Sequence, residues 1–396
     1  MQPSPLPSLD QPALMQLTAK PPVRMVRGRG SSLWDQHERH YLDFVQGWAV
    51  NCLGHSPAVI AAALRTQLDQ VLNPGPAYHN DASLRLAERL AQLSGLSRVY
   101  LASSGAEANE AAVKLARKWA HQHKPGAYEV ITTLDSFHGR TLAMTSATGK
   151  PGFADAYQPG VPGFVKVPYG DVAAVRDAIG PRTVAVMVEP VQGEAGVVVP
   201  PPGYLAALRA LCDEAGILLI LDEVQTGMAR TGALFAHQHD AMRPDILTLG
   251  KGLGGGLPIS AMLASAHAAC FVPGDHGGTF AAHALLSAAA LAIVELLVTP
   301  AHAAVREASA RKLAAALGTL AARHGLTLRG RGHLWALALP TPRAEAVRDA
   351  AFARGLLVNA ARPHVLRLMP ALDVGADEIA EMATRLDAAL TAPVDA

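Results

Sequence analysis

The chain has 396 residues, half of them hydrophobic and 17% charged, with a formal net charge of +1. That length buries a large core and suits two domains, one large and one small. The near-neutral balance excludes the basic field of a nucleic-acid binder and leaves no acidic tail, so neither nucleic acid nor a membrane is expected as a partner.

In chain order, residues Met1 to Lys20 carry prolines but no basic-then-apolar signal pattern, and read as a frayed tail. Leu33 to Asp35 and Tyr41 to Phe44 flank a polar turn and predict a hairpin. Helices are expected from about Ala58 to Gln70 and from Ser83 to Leu93, with the loop Asn73-Pro-Gly-Pro76 between them. Then strands and helices alternate. Strands are predicted at Val99 to Ala102, Tyr128 to Thr133, Thr183 to Val188, Ile217 to Leu221 and Ile246 to Leu249, and a helix at Glu107 to Trp119. Alternation of this kind implies an α/β fold with a mainly parallel sheet. Ala284 to Val298 is apolar but interrupted by Glu295 and too short for a bilayer, so it reads as a buried helix. From Pro300 the pattern changes: a long alanine-rich helix to Arg323, a strand at Leu334 to Leu339, a helix at Ala344 to Arg354, strands near Leu357 and Leu366, and a helix from Asp377. The expected division is an N-terminal segment 1–52 packing with the small domain, a large domain 53–298 and a small α+β domain 299–396. Cys52, Cys212 and Cys270 have no paired spacing, as expected of reduced thiols in a cytoplasmic protein.

Ligands of open parallel sheets bind beyond the carboxyl ends of the strands. After the first of these strands come Ser103-Ser104-Gly105-Ala106, a helix start suited to a phosphate. After the others come Phe137-His138-Gly139-Arg140, then Glu189 to Glu194, then Asp222-Glu223-Val224-Gln225, then Lys251. Lys251 is one of eight lysines against 26 arginines. It sits in a glycine-rich turn and is read either as a surface residue or as a buried amine of lowered pKa, able to bond a carbonyl. A phosphate-binding P-loop is excluded, because Gly252 stands where Ser or Thr is required. An amine, an acid, an aromatic face and a phosphate cradle together fit pyridoxal phosphate. His121-x-His123 and His237-x-His239 lack a closing ligand set, so no metal is expected.

These motifs, with Ser103 to Arg117, Asp245 to Gly256, Gly278-Thr-Phe280 and Leu366-Arg-Leu368, stand in the order found in class III pyridoxal-phosphate aminotransferases of the acetylornithine/ornithine group, which the chain resembles. The resemblance implies a fold-type-I enzyme working as a homodimer. It makes Lys251 similar to the lysine that bonds the cofactor aldehyde and shuttles the proton. Asp222 is similar to the acid facing the ring nitrogen, and these two are the implied catalytic pair. It further implies Gln225 for the ring hydroxyl, Phe137 and Val224 for the ring faces, and Ser104, Gly105 and Ala106 for the phosphate. Thr279 is implied to reach the phosphate of a second subunit. Arg140 resembles the grip on the donor's remote carboxylate. Arg367 resembles the grip on the α-carboxylate of 2-oxoglutarate, with Glu194 as the gate that pairs it.

The implied reaction takes the terminal amine of N-acetylornithine to 2-oxoglutarate, as in arginine biosynthesis. Ser32, where ornithine enzymes tend to carry tyrosine, tilts the reading toward the acetylated donor. Ornithine, succinylornithine, 4-aminobutyrate and polyamines stay open as donors, as does an aminomutase on the same scaffold. Two segments depart from the family pattern: Gly227-Met-Ala-Arg230 for Gly-Met-Gly-Arg, and Ala281-Ala-His-Ala284 for Gly-Gly-Asn-Pro.

Overall fold

The computed structural model describes residues 13–393, so the first twelve residues of the expected frayed tail lie outside the described residues. Near the N-terminus, β1 (Met25–Arg29), β2 (Ser32–Asp35) and β3 (His40–Asp43) form an antiparallel meander. The β2–β3 hairpin is the expected one. β1 was not anticipated, because Met-Val-Arg-Gly-Arg offers no apolar alternation.

The next seven strands build the large sheet. They are β4 (Arg98–Ala102), β5 (Glu129–Thr133), β6 (Phe164–Val167), β7 (Thr183–Val188), β8 (Leu218–Asp222), β9 (Ile246–Leu249) and β10 (Ser260–Ala264). Their order is β4-β10-β9-β8-β7-β5-β6. β10 is antiparallel to β4 and β9, and every other neighbouring pair is parallel. β4, β5, β7, β8 and β9 therefore all end on one edge, where the candidate residues begin. Every residue of β7 and β8 is buried, as continuous apolar runs require when helices cover both faces.

β11 (Thr327–Arg331), β12 (Leu334–Ala338), β14 (Asn359–Arg362) and β15 (Val365–Leu368) form an antiparallel sheet, order β11-β12-β15-β14. β13 (Leu356–Leu357) leaves it to pair with β3 in parallel. Leu42 and Phe44 accordingly share one apolar cluster with Leu313, Leu356, Leu366 and Leu386. Helices Ala284–Leu297 and Pro300–His324 meet at a 73° bend, with Thr299 capping the second. No single helix among the described residues is long and apolar enough to cross a membrane.

Candidate active site

The edge of the large sheet opens onto a cavity of about 340 Å³ lined by Gly105, Ala106, Phe137, Arg140, Glu189, Glu194, Asp222, Val224, Gln225 and Lys251, among others. Lys251 opens a short 3-10 turn, Lys251–Leu253, directly after Gly250. Its φ of +40° lies in the left-handed region, which a lysine enters only where its surroundings impose it. Burial pushes the amine's pKa down, and Glu194 offsets part of that shift.

Asp222, the last residue of β8, is held from several sides. His138 Nδ1 and Asn109 Nδ2 each lie 2.8 Å from its Oδ2, and the Val224 amide donates to Oδ1 at 3.0 Å. Thr248 donates to Asn109 Oδ1 at 2.7 Å, which turns the amide's NH₂ toward the acid. Burial would push the His138 imidazole down, but the hydrogen bond and charge of Asp222 outweigh it and raise its pKa. Asn109 had escaped the sequence reading. The available signal was one polar residue in the alanine stripe Ala108, Ala111, Ala112, at 1% exposure.

Helix Gly105–His123 begins at Ser104, whose Oγ accepts from the Glu107 amide at 3.3 Å and donates to the Glu107 carboxylate at 3.1 Å. Ser104 is thus a helix cap, with its carbonyl bound by Ser260 Oγ from β10 at 2.7 Å. Gly105 and Ala106 present the helix start to the cavity. A Cβ on Gly105 would stand 2.7 Å from Val224 Cγ1, so glycine keeps that approach open.

Phe137 donates its amide to Glu189 at 3.1 Å. Burial raises the Glu189 carboxyl to about 7, against the opposing pull of His138. The Arg140 guanidinium is exposed, 5.9 Å from the Phe137 ring and 5.6 Å from Phe153. Among the described residues Arg140 has no acidic partner.

Arg367 reaches the same place from the small sheet. It lies in β15, opposite Ala336 and Asn359, and is 0% exposed. Its Nη1 donates to Glu194 at 2.7 Å and to Gln225 at 3.3 Å, and its Nε to Asn359 at 3.1 Å. Its Nη2 is buried and has no partner. Burial would raise Glu194, but Arg367 and then Lys251 bring it down to about 2. Gly193 lets this segment lie on Gln225, because a Cβ there would overlap the Gln225 amide.

Three candidates do not themselves line the cavity: Ser104 caps the helix beside it, Arg367 reaches it through Glu194 and Gln225, and Thr279 lies in an exposed stretch, residues 277–280. Three of the noted histidines have ordinary partners: His237 Nδ1 lies 2.8 Å from Glu223, His123 Nδ1 2.9 Å from the Trp119 carbonyl and His239 Nε2 3.1 Å from the Thr231 carbonyl.

The class-III aminotransferase family model matches residues 15–390. The chain is 48% identical over 384 residues to acetylornithine aminotransferase 2 of Bordetella bronchiseptica, covering 96% of this chain and 97% of that one. Among solved structures it is similar to N-acetylornithine aminotransferase from Stenotrophomonas maltophilia, with a TM-score of 0.81, 36% identity, and coverage of 93% and 95%. It is also similar to an ornithine aminotransferase from Toxoplasma gondii described with partial occupancy of PLP at its active site, with a TM-score of 0.89, 34% identity, and coverage of 96% and 92%. By sequence and by fold, this chain belongs to the class-III aminotransferases.

Proposed function

We propose that this chain is a pyridoxal-phosphate-dependent transaminase. It moves the terminal amine of N-acetylornithine to 2-oxoglutarate, giving N-acetylglutamate 5-semialdehyde and glutamate in arginine biosynthesis. The supporting observation is one cavity lined by an amine, Lys251, and an anchored acid, Asp222, where a buried arginine, Arg367, is paired to the acid Glu194.

The residues present fit the cofactor. Room is left at Gly105, and the amides of Gly105 and Ala106 open a 19-residue helix whose dipole favours a phosphate. Phe137 and Val224 would flank the ring, Gln225 would meet its hydroxyl, Asp222 its nitrogen and Lys251 its aldehyde. When bound, the cofactor supplies an electrophilic carbon and a cationic ring that takes up the electrons of a broken C–H bond.

The protein's own part is positional and protonic. His138, Asn109 and the Val224 amide hold both carboxylate oxygens of Asp222 in place. The lowered pKa of Lys251 gives its Nζ a neutral fraction, able to take a proton from the substrate carbon and return it. Arg140 would hold the donor's carboxylate. With Glu194 on Arg367, the pair presents no net cation to the donor's amine. When Glu194 swings away, Nη1 joins the unpartnered Nη2 as a fork for the carboxylate of 2-oxoglutarate.

We further infer the division 1–52, 53–298 and 299–396, supported by the β3–β13 pairing and the cluster shared by Leu42 and Phe44. A cytoplasmic homodimer completes the reading, supported by three free cysteines and an exposed Thr279 that would meet the cofactor phosphate of a second copy.

The test is the rate of each half-reaction in cofactor-loaded protein. N-acetylornithine should outrun ornithine, succinylornithine, 4-aminobutyrate and polyamines. A preference for any of these overturns the donor assignment, and rearranged product formed without a keto acid would favour an aminomutase.

A further inference from the structure

Arg230 lies eight residues beyond Asp222, behind the cavity rather than in it. It is 2% exposed and is one of the largest buried side chains among the described residues. Among the described residues it has no acidic partner in ion-pair range; its guanidinium donates only to backbone carbonyls. Nη1 donates to Pro370 and, at 3.2 Å, to His333, and Nη2 reaches Ala49 at 3.5 Å. Burial pushes its pKa down to about 10, so the charge persists at neutral pH. A buried cation without a counter-ion costs several kcal/mol unless oriented dipoles replace its water. Three carbonyls from three separate segments supply them here.

Each segment leads to a functional side chain. Pro370 closely follows Arg367 along β15 and its exit. His333 opens the hairpin turn into β12, and β12 pairs with β15 so that Ala336 faces Arg367. Ala49 ends the turn Gln46–Ala49, whose residues all have positive φ (49°, 62°, 60°, 68°) and which packs on the Lys251–Leu253 turn. Arg230's own loop begins at Asp222. Its backbone is tied as well: the His333 amide donates to the Arg230 carbonyl at 2.9 Å. The fit at that contact is close, since a Cβ on Gly332 would stand 2.5 Å from the Thr231 carbonyl carbon. Arg230 is aimed inward by Met228 and Ala229, both left-handed, with φ of 54° and 65°.

We propose that Arg230 is a positioning residue, whose guanidinium fixes the separation between the Lys251–Asp222 pair on the large sheet and the Arg367 carboxylate clamp on the small one. The proposal rests on the transaminase reading above for the roles of those three groups. Lysine is no substitute, because a point ammonium cannot span three carbonyls that a planar fork reaches. Loosening the tie displaces Arg367 relative to Lys251. It leaves Asp222, with its own donors, and Arg140, on the large sheet, in place. The two carboxylate sites thus respond differently.

The experiment compares wild type with Arg230→Lys and Arg230→Gln. It uses cofactor-loaded protein, with absorbance of the bound cofactor, both half-reactions, and calorimetric binding of glutarate, an unreactive five-carbon dicarboxylate. The expected result is retained cofactor absorbance and an amino-donor half-reaction within about 3-fold of wild type. Glutarate Kd and 2-oxoglutarate KM should both rise by about 10-fold or more, the scale of a sub-ångström to 1 Å misplacement. Unchanged glutarate binding overturns the proposal. So does equal loss in both half-reactions, or failure of both variants to fold, either of which would make Arg230 a general scaffold residue. Wild-type protein that transfers no amine would overturn the transaminase reading instead, and the glutarate arm would still decide whether Arg230 sets the clamp.

Discussion

Glu189 and Glu194 stand five residues apart on one segment, and their surroundings drive them in opposite directions. Glu194 meets a guanidinium and falls to about 2; Glu189 is buried beside a backbone amide and rises to about 7. A raised folded-state pKa means that the native protein holds the proton more tightly than the unfolded chain, whose glutamate titrates near 4.5. The stabilisation from Glu189 is therefore complete below pH 4.5 and is lost as pH rises through about 7. Glu189→Gln cannot ionise. In cofactor-free protein, wild type should lose stability relative to this variant between pH 5 and pH 8, by on the order of a few kcal/mol. Denaturant unfolding at both pH values measures it; a difference that stays flat across that interval would refute the assignment. Glu194 has the opposite sign: its ion pair contributes fully above pH 4.5 and is lost only as pH falls through about 2.

At the scale of the element, the start of helix Gly105–His123 combines two demands. Ser104 must cap the helix, and Gly105 must leave the amides uncovered next to Val224. Gly105 has no positive φ, so alanine is compatible with its backbone and the objection is space alone. Gly105→Ala should fold with its helix intact yet bind pyridoxal phosphate roughly 10-fold or more weakly, for a loss of about 1.4 kcal/mol or more. Adding Val224→Ala should restore part of that affinity. Equilibrium binding of the cofactor to both variants checks the pair; undiminished affinity in the single variant would move the phosphate site elsewhere. Ser104→Ala should cost about 1 kcal/mol of unfolding free energy through loss of the cap.

For the whole molecule, the proposed homodimer would have exposed apolar side chains available to cover. Phe280, Val272, Tyr78 and Leu72 are all at least half exposed, and Phe280 adjoins Thr279. Sedimentation equilibrium should return twice the chain mass of 41.3 kDa. Thr279→Ala should weaken cofactor binding without changing that mass. A monomer retaining full cofactor affinity would exclude the shared site.

The strand ends were legible because buried parallel strands are written as uninterrupted apolar runs, so the residue that breaks each run is visible. Lys251, Asp222, Glu189 and Ser104 stood out in that way, and the resemblance supplied roles for them. β6, β10 and β14 were not legible: Phe-Val-Lys-Val favours a strand but is only four residues long, and Ser-Ala-Met-Leu-Ala and Asn-Ala-Ala-Arg carry little strand propensity of their own. Neighbouring strands decide their state. The partners of Asn109, His138 and Arg230 likewise could not be read from the sequence, since they depend on distances across the chain. By itself the sequence determined the alternating α/β order, the sheet edge that carries chemistry and the residue types placed there, because periodicity and the ends of apolar runs are local properties. Tertiary structure alone decided that Asp222 is clasped by Asn109 and His138, that Arg367 enters from the second sheet to meet Glu194, and that Arg230 joins three distant segments. Those are contacts between residues roughly 80 to 180 positions apart, which only the packing of the two sheets can set.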